Sequence, residues 1–487
     1  MAKITHSQLY TSANLPWLEG LPNHEYTHLE TDSRKVNREA VFFALPGVAS
    51  NGWDYLDAVA NLGCLTAVVP AGLGLKHAAL ALIEVEDVAA LLVGCLHQYF
   101  GALPKQMVAV TGTNGKSSIC FYLAQLAKLT GLKSGLVGTF GVGELGKLQE
   151  AVQTTPDLLT LHKTLMELSA QGVDFVAFEA SSHALDQGRL QGVPFQGAIF
   201  SNLSRDHLDY HGDMASYAAA KKALFAFASV EHSVFCLDDD YSDFMSQDTS
   251  SKRHYYSLAE SSADFYVEHL SFLPTGCEFQ LVYPEGRRKV FLPLLGRFNV
   301  QNALAALAAL WHLLPKKDSL LAGLERLQGA PGRMEKVVLA NTPVAVVDYA
   351  HTPDALRVAL QALRDHSAGK LICVFGCGGD RDRGKRPLMM AEAMANADSV
   401  FLTSDNPRTE AVAQILTDAQ IGLTSSEKLT VIADRREAIA QAILTASAND
   451  VILIAGKGHE NYQDVQGVKH HFDDKEEALG VLQCYVD

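Results

Sequence analysis

Val108-Ala109-Val110-Thr111-Gly112-Thr113-Asn114-Gly115-Lys116-Ser117-Ser118 decides the reading of this chain. An apolar run of strand length ends in a glycine-punctuated turn. A helix-like run comes next, over residues 119–129. Glycines let the backbone curl so that its N–H groups face a phosphate, and a helix N-terminus adds positive potential. Lys116 can reach the β- and γ-phosphates, and the Ser117 hydroxyl can bind Mg²⁺. The general phosphate-loop pattern wants glycine five places before Gly115, where Val110 stands. With Gly-Lys-Ser at a strand–helix junction, the stretch predicts a nucleotide site over Gly112, Thr113, Asn114, Gly115, Lys116, Ser117 and Ser118.

The rest of the chain extends this pattern. Of 487 residues, 48% are hydrophobic and 20% charged, the composition of ordinary globular domains. That length suggests about three domains. A net charge of −15 argues against a nucleic-acid partner. The start Met1-Ala2-Lys3-Ile4 shows no apolar signal core, and no apolar run reaches spanning length, so no membrane insertion is expected. Eight cysteines lack any Cys-x-x-Cys pair and sit mostly among apolar neighbours, as buried thiols in a reducing cytoplasm do.

Strands alternate with helices, so the expected class is α/β with a mostly parallel sheet. Three blocks emerge, 1–104, 105–332 and 333–487. Expected strands in the second are 107–110, 175–179 and 198–200, with an alanine-rich helix over 302–314. In the third they are 344–347, 371–375, 400–403 and 451–455. Ligands of open α/β sheets bind beyond the carboxyl ends of strands, so the loops there carry the candidate chemistry.

Glu179-Ala180-Ser181-Ser182-His183 comes after one such strand. Its acid can hold Mg²⁺ or water, or simply cap a helix. Gln187-Gly188-Arg189 offers an amide and a cation to an anionic substrate. Residues 202–212, Asn-Leu-Ser-Arg-Asp-His-Leu-Asp-Tyr-His-Gly, gather metal-, phosphate- and proton-handling side chains. Lys221 shares a helix face with Tyr217 and Phe225, which leaves it either half buried or solvated with a snorkelling stem. Asp348-Tyr349-Ala350-His351-Thr352-Pro353-Asp354 can meet a nucleotide or merely start a helix. Three further strand ends present Arg381, Asn406 with Arg408, and Glu460. Guanidinium forks and a carboxylate of this kind suit a zwitterionic amino acid.

These motifs resemble, over nearly the whole chain and in order, those of the Mur ligases, the ATP-dependent amino-acid ligases of peptidoglycan precursor synthesis. Gly296-Arg297-Phe298-Asn299-x-x-Asn302 and Gly332-Arg333-Met334-Glu335 complete the set. Asp405-Asn406-Pro407-Arg408 resembles the branch that adds diaminopimelate as third residue. The resemblance implies a UDP-substrate domain, a central ATPase of phosphate-loop type and a C-terminal dinucleotide-fold-like domain for the amino acid. It implies Ser33, Thr154, Thr155, Ser181, Gln187 and Arg189 for the UDP-N-acetylmuramoyl dipeptide. Ser117, Glu179 and His207 would serve Mg²⁺, together with Lys221 as its carbamate (N6-carboxylysine). Asn302, Arg333, Asp348 and His351 would meet ATP. Arg381, Asp405, Asn406, Arg408, Gly456 and Glu460 would hold meso-diaminopimelate. Lys116, Lys221, His207 and Arg333 would be catalytic, in a cytoplasmic monomer. A lysine-adding form, a folylpolyglutamate-type ligase and a non-catalytic nucleotide switch are the rival readings.

Overall fold

The computed structural model describes residues 3–17, 22–47, 50–151, 153–423 and 426–485. Backbone contacts divide the chain into two compact units. One comprises 1–113, 131–233 and 243–252; the other comprises 114–130, 234–242 and 253–487.

Beside a short pair of strands, Ile4–Thr5 with Glu25–Tyr26, two larger sheets shape the first unit. His28–Glu30, Ala40–Phe43, Thr66–Pro70 and Ala81–Val85 form a four-stranded parallel sheet in chain order. Alternate side chains serve opposite faces, with Val41 and Phe43 in one core and Phe42 and Ala44 in the other. In the second sheet Gly197–Phe200, Gln106–Thr111, Phe175–Glu179 and Ser134–Gly138 lie side by side and parallel, with Gly141–Glu144 antiparallel beyond them. Covered strands in parallel sheets read as near-continuous apolar runs, which is why 107–110 and 175–178 were legible. Strand register sets where the loops emerge. Glu179 pairs with Val110, and Phe200 with Thr111, so three loops leave one edge of the sheet together.

In the second unit, helix Lys116–Leu129 packs with Arg297–Leu313, and the Tyr122 hydroxyl donates to Asn299 Oδ1 at 2.9 Å. The helix after the phosphate loop thus starts three residues before the expected 119, and the alanine-rich one starts at Arg297 rather than 302. Phe265–Leu273, Gly276–Tyr283 and Gly286–Leu292 form an antiparallel meander that the alternating pattern did not single out. A six-stranded sheet runs Glu335–Val337, Val344–Asp348, Val451–Ala455, Leu371–Cys377, Ser399–Ser404 and Leu429–Val431, parallel except for the first strand. One face packs Leu356, Met389 and Ile415 from three helices; the other packs Ile439 and Leu482. This is a doubly wound α/β arrangement.

None of the eight cysteines forms a disulfide, and seven of them are buried. Burial pushes the Cys377 thiol up to about 12, so it stays protonated. Among the described residues no helix is long and apolar enough to cross a membrane.

Candidate functional site

Strand Gln106–Thr111 ends in the loop 112–115, and helix Lys116–Leu129 begins at once. Gly112 and Gly115 have φ of +148° and +86°, conformations that favour glycine. A Cβ on Gly115 would sit 2.6 Å from Asn302 Oδ1, so the helix carrying Asn302 closes against this turn. Lys116, Ser117 and Ser118 occupy the first helical turn, which has no acidic residue to oppose an anion. Thr113 ties the loop to the polar motif 202–212. Its Oγ1 donates to Ser204 O at 3.2 Å and accepts from Ser204 N at 2.9 Å.

Lys221 is 1% exposed. Its Nζ donates to Gly112 O at 2.8 Å and lies 4.4 Å from the Tyr217 ring centroid. The solvated reading of this lysine is therefore corrected, because the helix turns it inward beneath the phosphate loop. Helix Met214–Lys222 ends sooner than expected and continues as a 3₁₀ turn, Ala223–Ala226. The neighbouring Lys222 points elsewhere, 3.3 Å from Asp248.

Glu179 is buried at its strand end and accepts from Thr139 N at 2.7 Å and from its hydroxyl at 3.2 Å. Thr139 Oγ1 also lies 3.3 Å from Thr154 Oγ1, and Thr155 Oγ1 donates to Glu179 O at 2.8 Å and lies 3.2 Å from Ser181 Oγ. Four expected residues, Thr154, Thr155, Glu179 and Ser181, thus cluster around Thr139, which no motif had marked. His207 has φ of +51° at the start of the short helix Leu208–His211, 5.0 Å between ring centroids from His183. Burial, then His207 and His211, holds the His183 imidazole below its ordinary pKa.

A cavity of about 1480 Å³ lies wholly in the first unit. Gln187 and Arg189 line it, with Lys35, Gln153, Gln191 and Tyr210, which the sequence reading had not chosen. Ser33, Thr154, Thr155 and Ser181 are not among its lining residues. Ser33 sits instead in the turn where Arg34 grips Asp32 and holds that carboxyl at about 2.

In the second unit Asp348 closes its strand and accepts from Met334 N and Ala350 N at 2.8 and 2.9 Å. Burial raises its pKa against these two donors. Arg333 lies 5.0 Å over the Tyr349 ring, and His351 is exposed, its Nδ1 2.8 Å from Tyr349 O. Strands Val451–Ala455, Leu371–Cys377 and Ser399–Ser404 are neighbours, so the loops bearing Glu460, Arg381 and Arg408 leave adjacent ends. Asn406 Nδ2 donates to Glu460 Oε2 at 2.8 Å, and Arg408 Nη1 donates to Gly379 O at 2.8 Å. A Cβ on Gly456 would overlap the Asp405 carboxylate. Arg381 turns its Nη1 to Asp380 O, 3.4 Å away in its own loop.

Two supports were missed by sequence reading. Lys457 is fully buried and donates to Asn406 Oδ1 at 3.2 Å and to Tyr462 O, 3.6 Å from Glu460. Arg435 holds the carbonyls of Ser404 and Ala455 at 3.2 and 3.0 Å, the last residues of two of those strands. The lysine in Gly456-Lys457-Gly458 was a visible signal; Arg435 lies in an ordinary-looking helix and offered none.

The chain is similar to known proteins over nearly its whole length. The Mur ligase middle domain matches residues 110–310, and the Mur ligase, glutamate ligase domain matches 332–458. The chain is 46% identical over 462 residues to UDP-N-acetylmuramoyl-L-alanyl-D-glutamate–2,6-diaminopimelate ligase of Pseudomonas aeruginosa, covering 94% of this chain and 95% of that one. The protein of that name in Ectopseudomonas mendocina is 44% identical over the same shares. A solved structure of a protein so named superposes with a TM-score of 0.80 at 38% identity, covering 100% of both chains. With both domains matched and identity sustained over nearly its full length, this chain belongs to the Mur ligase family.

Proposed function

We propose that this chain joins meso-diaminopimelate to UDP-N-acetylmuramoyl-L-alanyl-D-glutamate, with ATP converted to ADP and phosphate. One observation carries the reading. Arg381, the Asp405–Arg408 segment and Gly456 with Glu460 come after three adjacent strands, where two guanidinium forks and a carboxylate can grip a zwitterion with a second carboxylate. The names of the relatives support the same substrate pair. We assign the UDP end to residues 1–104, ATP to 105–332 and the amino acid to 333–487, in a cytoplasmic monomer.

The chemistry starts from an unreactive carboxylate. Its oxygen takes the γ-phosphoryl group of ATP, giving an acyl phosphate and ADP. The neutral amine of diaminopimelate adds to that carbonyl, loses a proton, and phosphate leaves as the tetrahedral intermediate collapses. The chain supplies position and charge. Lys116 and the N–H groups of 112–118 hold the phosphates, and Arg333, Asn302, Asp348 and His351 complete the ATP site. Gln187 and Arg189 face the cavity for the UDP substrate, and Ser33, Thr154, Thr155 and Ser181, which lie outside its lining, are assigned to the same substrate. The hard oxygens of Ser117 and Glu179, with His207, suit Mg²⁺, which when bound neutralises phosphate charge. Lys221 becomes a further acidic ligand once its neutral amine takes up CO₂ and releases a proton. Its side chain is buried and its Nζ already lies at the phosphate-loop edge, 2.8 Å from Gly112 O.

The test is product formation from the UDP-dipeptide and ATP with diaminopimelate, lysine or ornithine. Lysine would leave Arg408 facing no carboxylate, and a site built around a missing polar group can discriminate by about 10⁴-fold. Arg408→Ala should strongly raise KM for diaminopimelate and leave KM for ATP nearly unchanged. Retained selectivity over lysine in that variant would overturn the recognition model. ATP hydrolysis indifferent to all three amino acids would favour a nucleotide switch.

A further inference from the structure

Tyr210 takes no part in acyl-phosphate formation or amine attack, yet its hydroxyl joins the loop that carries Gln187 and Arg189. It donates to Asp186 Oδ2 at 2.8 Å and accepts from Gln187 Nε2 at 3.0 Å. Gln187 Oε1 accepts from Arg189 Nε at 2.9 Å and also from Arg189 Nη2. Arg189 Nη1 donates to Gln153 Oε1 at 2.8 Å and to Thr155 O at 3.0 Å.

The directions of these hydrogen bonds are forced. A carboxylate only accepts, so the Tyr210 proton points at Asp186. The hydroxyl then offers Gln187 a lone pair alone, so the amide turns Nε2 to Tyr210 and Oε1 to Arg189. A flipped amide would set its NH₂ against the guanidinium. Of the five N–H groups of Arg189, the four in these bonds are committed within the described residues. One Nη2 hydrogen and the positive charge are left for whatever enters the cavity that Arg189 lines. The Tyr210 ring packs on His183, 4.2 Å between centroids, so its position does not depend on the hydroxyl.

We infer that Tyr210 is a positioning residue for the UDP-linked substrate, its hydroxyl fixing the Gln187 amide so that Arg189 presents one N–H and its charge to an anionic group. This rests on the reading of Arg189 as a substrate-binding cation. Tyr210 lies three residues after His207, so one short segment serves both the phosphate-loop edge and the substrate cavity.

The experiment is a steady-state cycle on the full chain with Tyr210→Phe, Arg189→Ala and the double variant. Tyr210→Phe keeps the ring on His183 and removes only the hydroxyl. KM for the UDP-dipeptide should rise about tenfold, the effect of losing one hydrogen bond that orients a charged group. The kcat and the KM values for ATP and diaminopimelate should stay within about twofold, which a general loss of structure would not allow. In the Arg189→Ala background, Tyr210→Phe should have no further effect on KM, because the guanidinium that it orients through Gln187 is gone. If Arg189→Ala raises KM and Tyr210→Phe does not, the inference fails and the substrate site stands. Additive effects also overturn it, since Tyr210 would then act independently of Arg189. An unchanged KM in Arg189→Ala sinks both this inference and the assignment of Arg189.

Discussion

Asp474→Ala tests whether one buried ion pair holds the ends of the amino-acid site. Arg435 and Asp474 open two helices of the second unit, and both side chains are 0% exposed. The fork is bidentate, Nε to Oδ1 and Nη2 to Oδ2, each at 2.7 Å. Removing the carboxylate leaves a guanidinium out of water with two backbone carbonyls as its remaining hydrogen-bond partners. Breaking a buried pair from one side costs about 3–5 kcal/mol. For a domain of roughly 150 residues each kcal/mol moves Tm by about 2–4 °C, so the transition of this part should fall by roughly 6–20 °C. The double variant Arg435→Met, Asp474→Leu removes both charges. It should exchange the unpaired charge for two carbonyls without a donor, at about 1–3 kcal/mol each, and so lose stability by a comparable amount. Calorimetry on the full chain gives the shift, and hydrogen exchange over Ser399–Ser404 and Val451–Ala455 localises it. Asp405 and Gly456 come directly after those strands, so KM for the amino acid should rise in the single variant as well. A fall in Tm below about 2 °C for Asp474→Ala would refute the reasoning.

Two other outcomes are expected. Lys221→Ala should be nearly inactive and partly rescued by acetate, whereas Lys222→Ala, which loses an ion pair with exposed Asp248 and a contact with the Phe244 ring, should keep most activity; the reverse ranking would move the modified position by one residue. Acid should destabilise the first unit through His162. Burial lowers its pKa to about 4; its Nε2–H donates to Gln191 O at 2.9 Å, and its Nδ1 accepts from His97 at 3.0 Å. A depressed folded pKa means that the unfolded chain takes the proton first as pH falls below the ordinary 6.5. Stability is therefore lost between 6.5 and 4, by about 2 kcal/mol from pH 7 to pH 5 for this group. Hydrogen exchange in Val88–Tyr99 and Leu158–Ala170 should show that slope, and His162→Gln should flatten it; an identical slope in the variant would rule His162 out as its source.

The phosphate loop was legible because its chemistry is local. Seven consecutive residues make the cradle, and the glycines at 112 and 115 sit where the turn needs left-handed φ. The strand ends were legible for a related reason. Apolar runs of a covered parallel sheet announce themselves, and polar residues just past them mark the ligand-binding edge. Lys221 was half legible. Helical spacing put it on the face of Tyr217, but whether that face was wet or buried depended on what lay across from it.

The linear chain therefore determined the α/β class, the glycine-punctuated turn between strand and helix, and the polar residue types at the strand ends, because each arises from short-range pattern and backbone chemistry. Tertiary structure alone decided which side chains are held and by what. Thr139 meets Glu179 across 40 residues, Tyr210 meets Gln187 across 23, and Arg435 meets Asp474 across 39. No local rule pairs residues at such separations. They meet only when strand register and helix packing have fixed which surfaces face each other, and only then does a lysine, a tyrosine or an arginine of ordinary local context acquire a partner and a task.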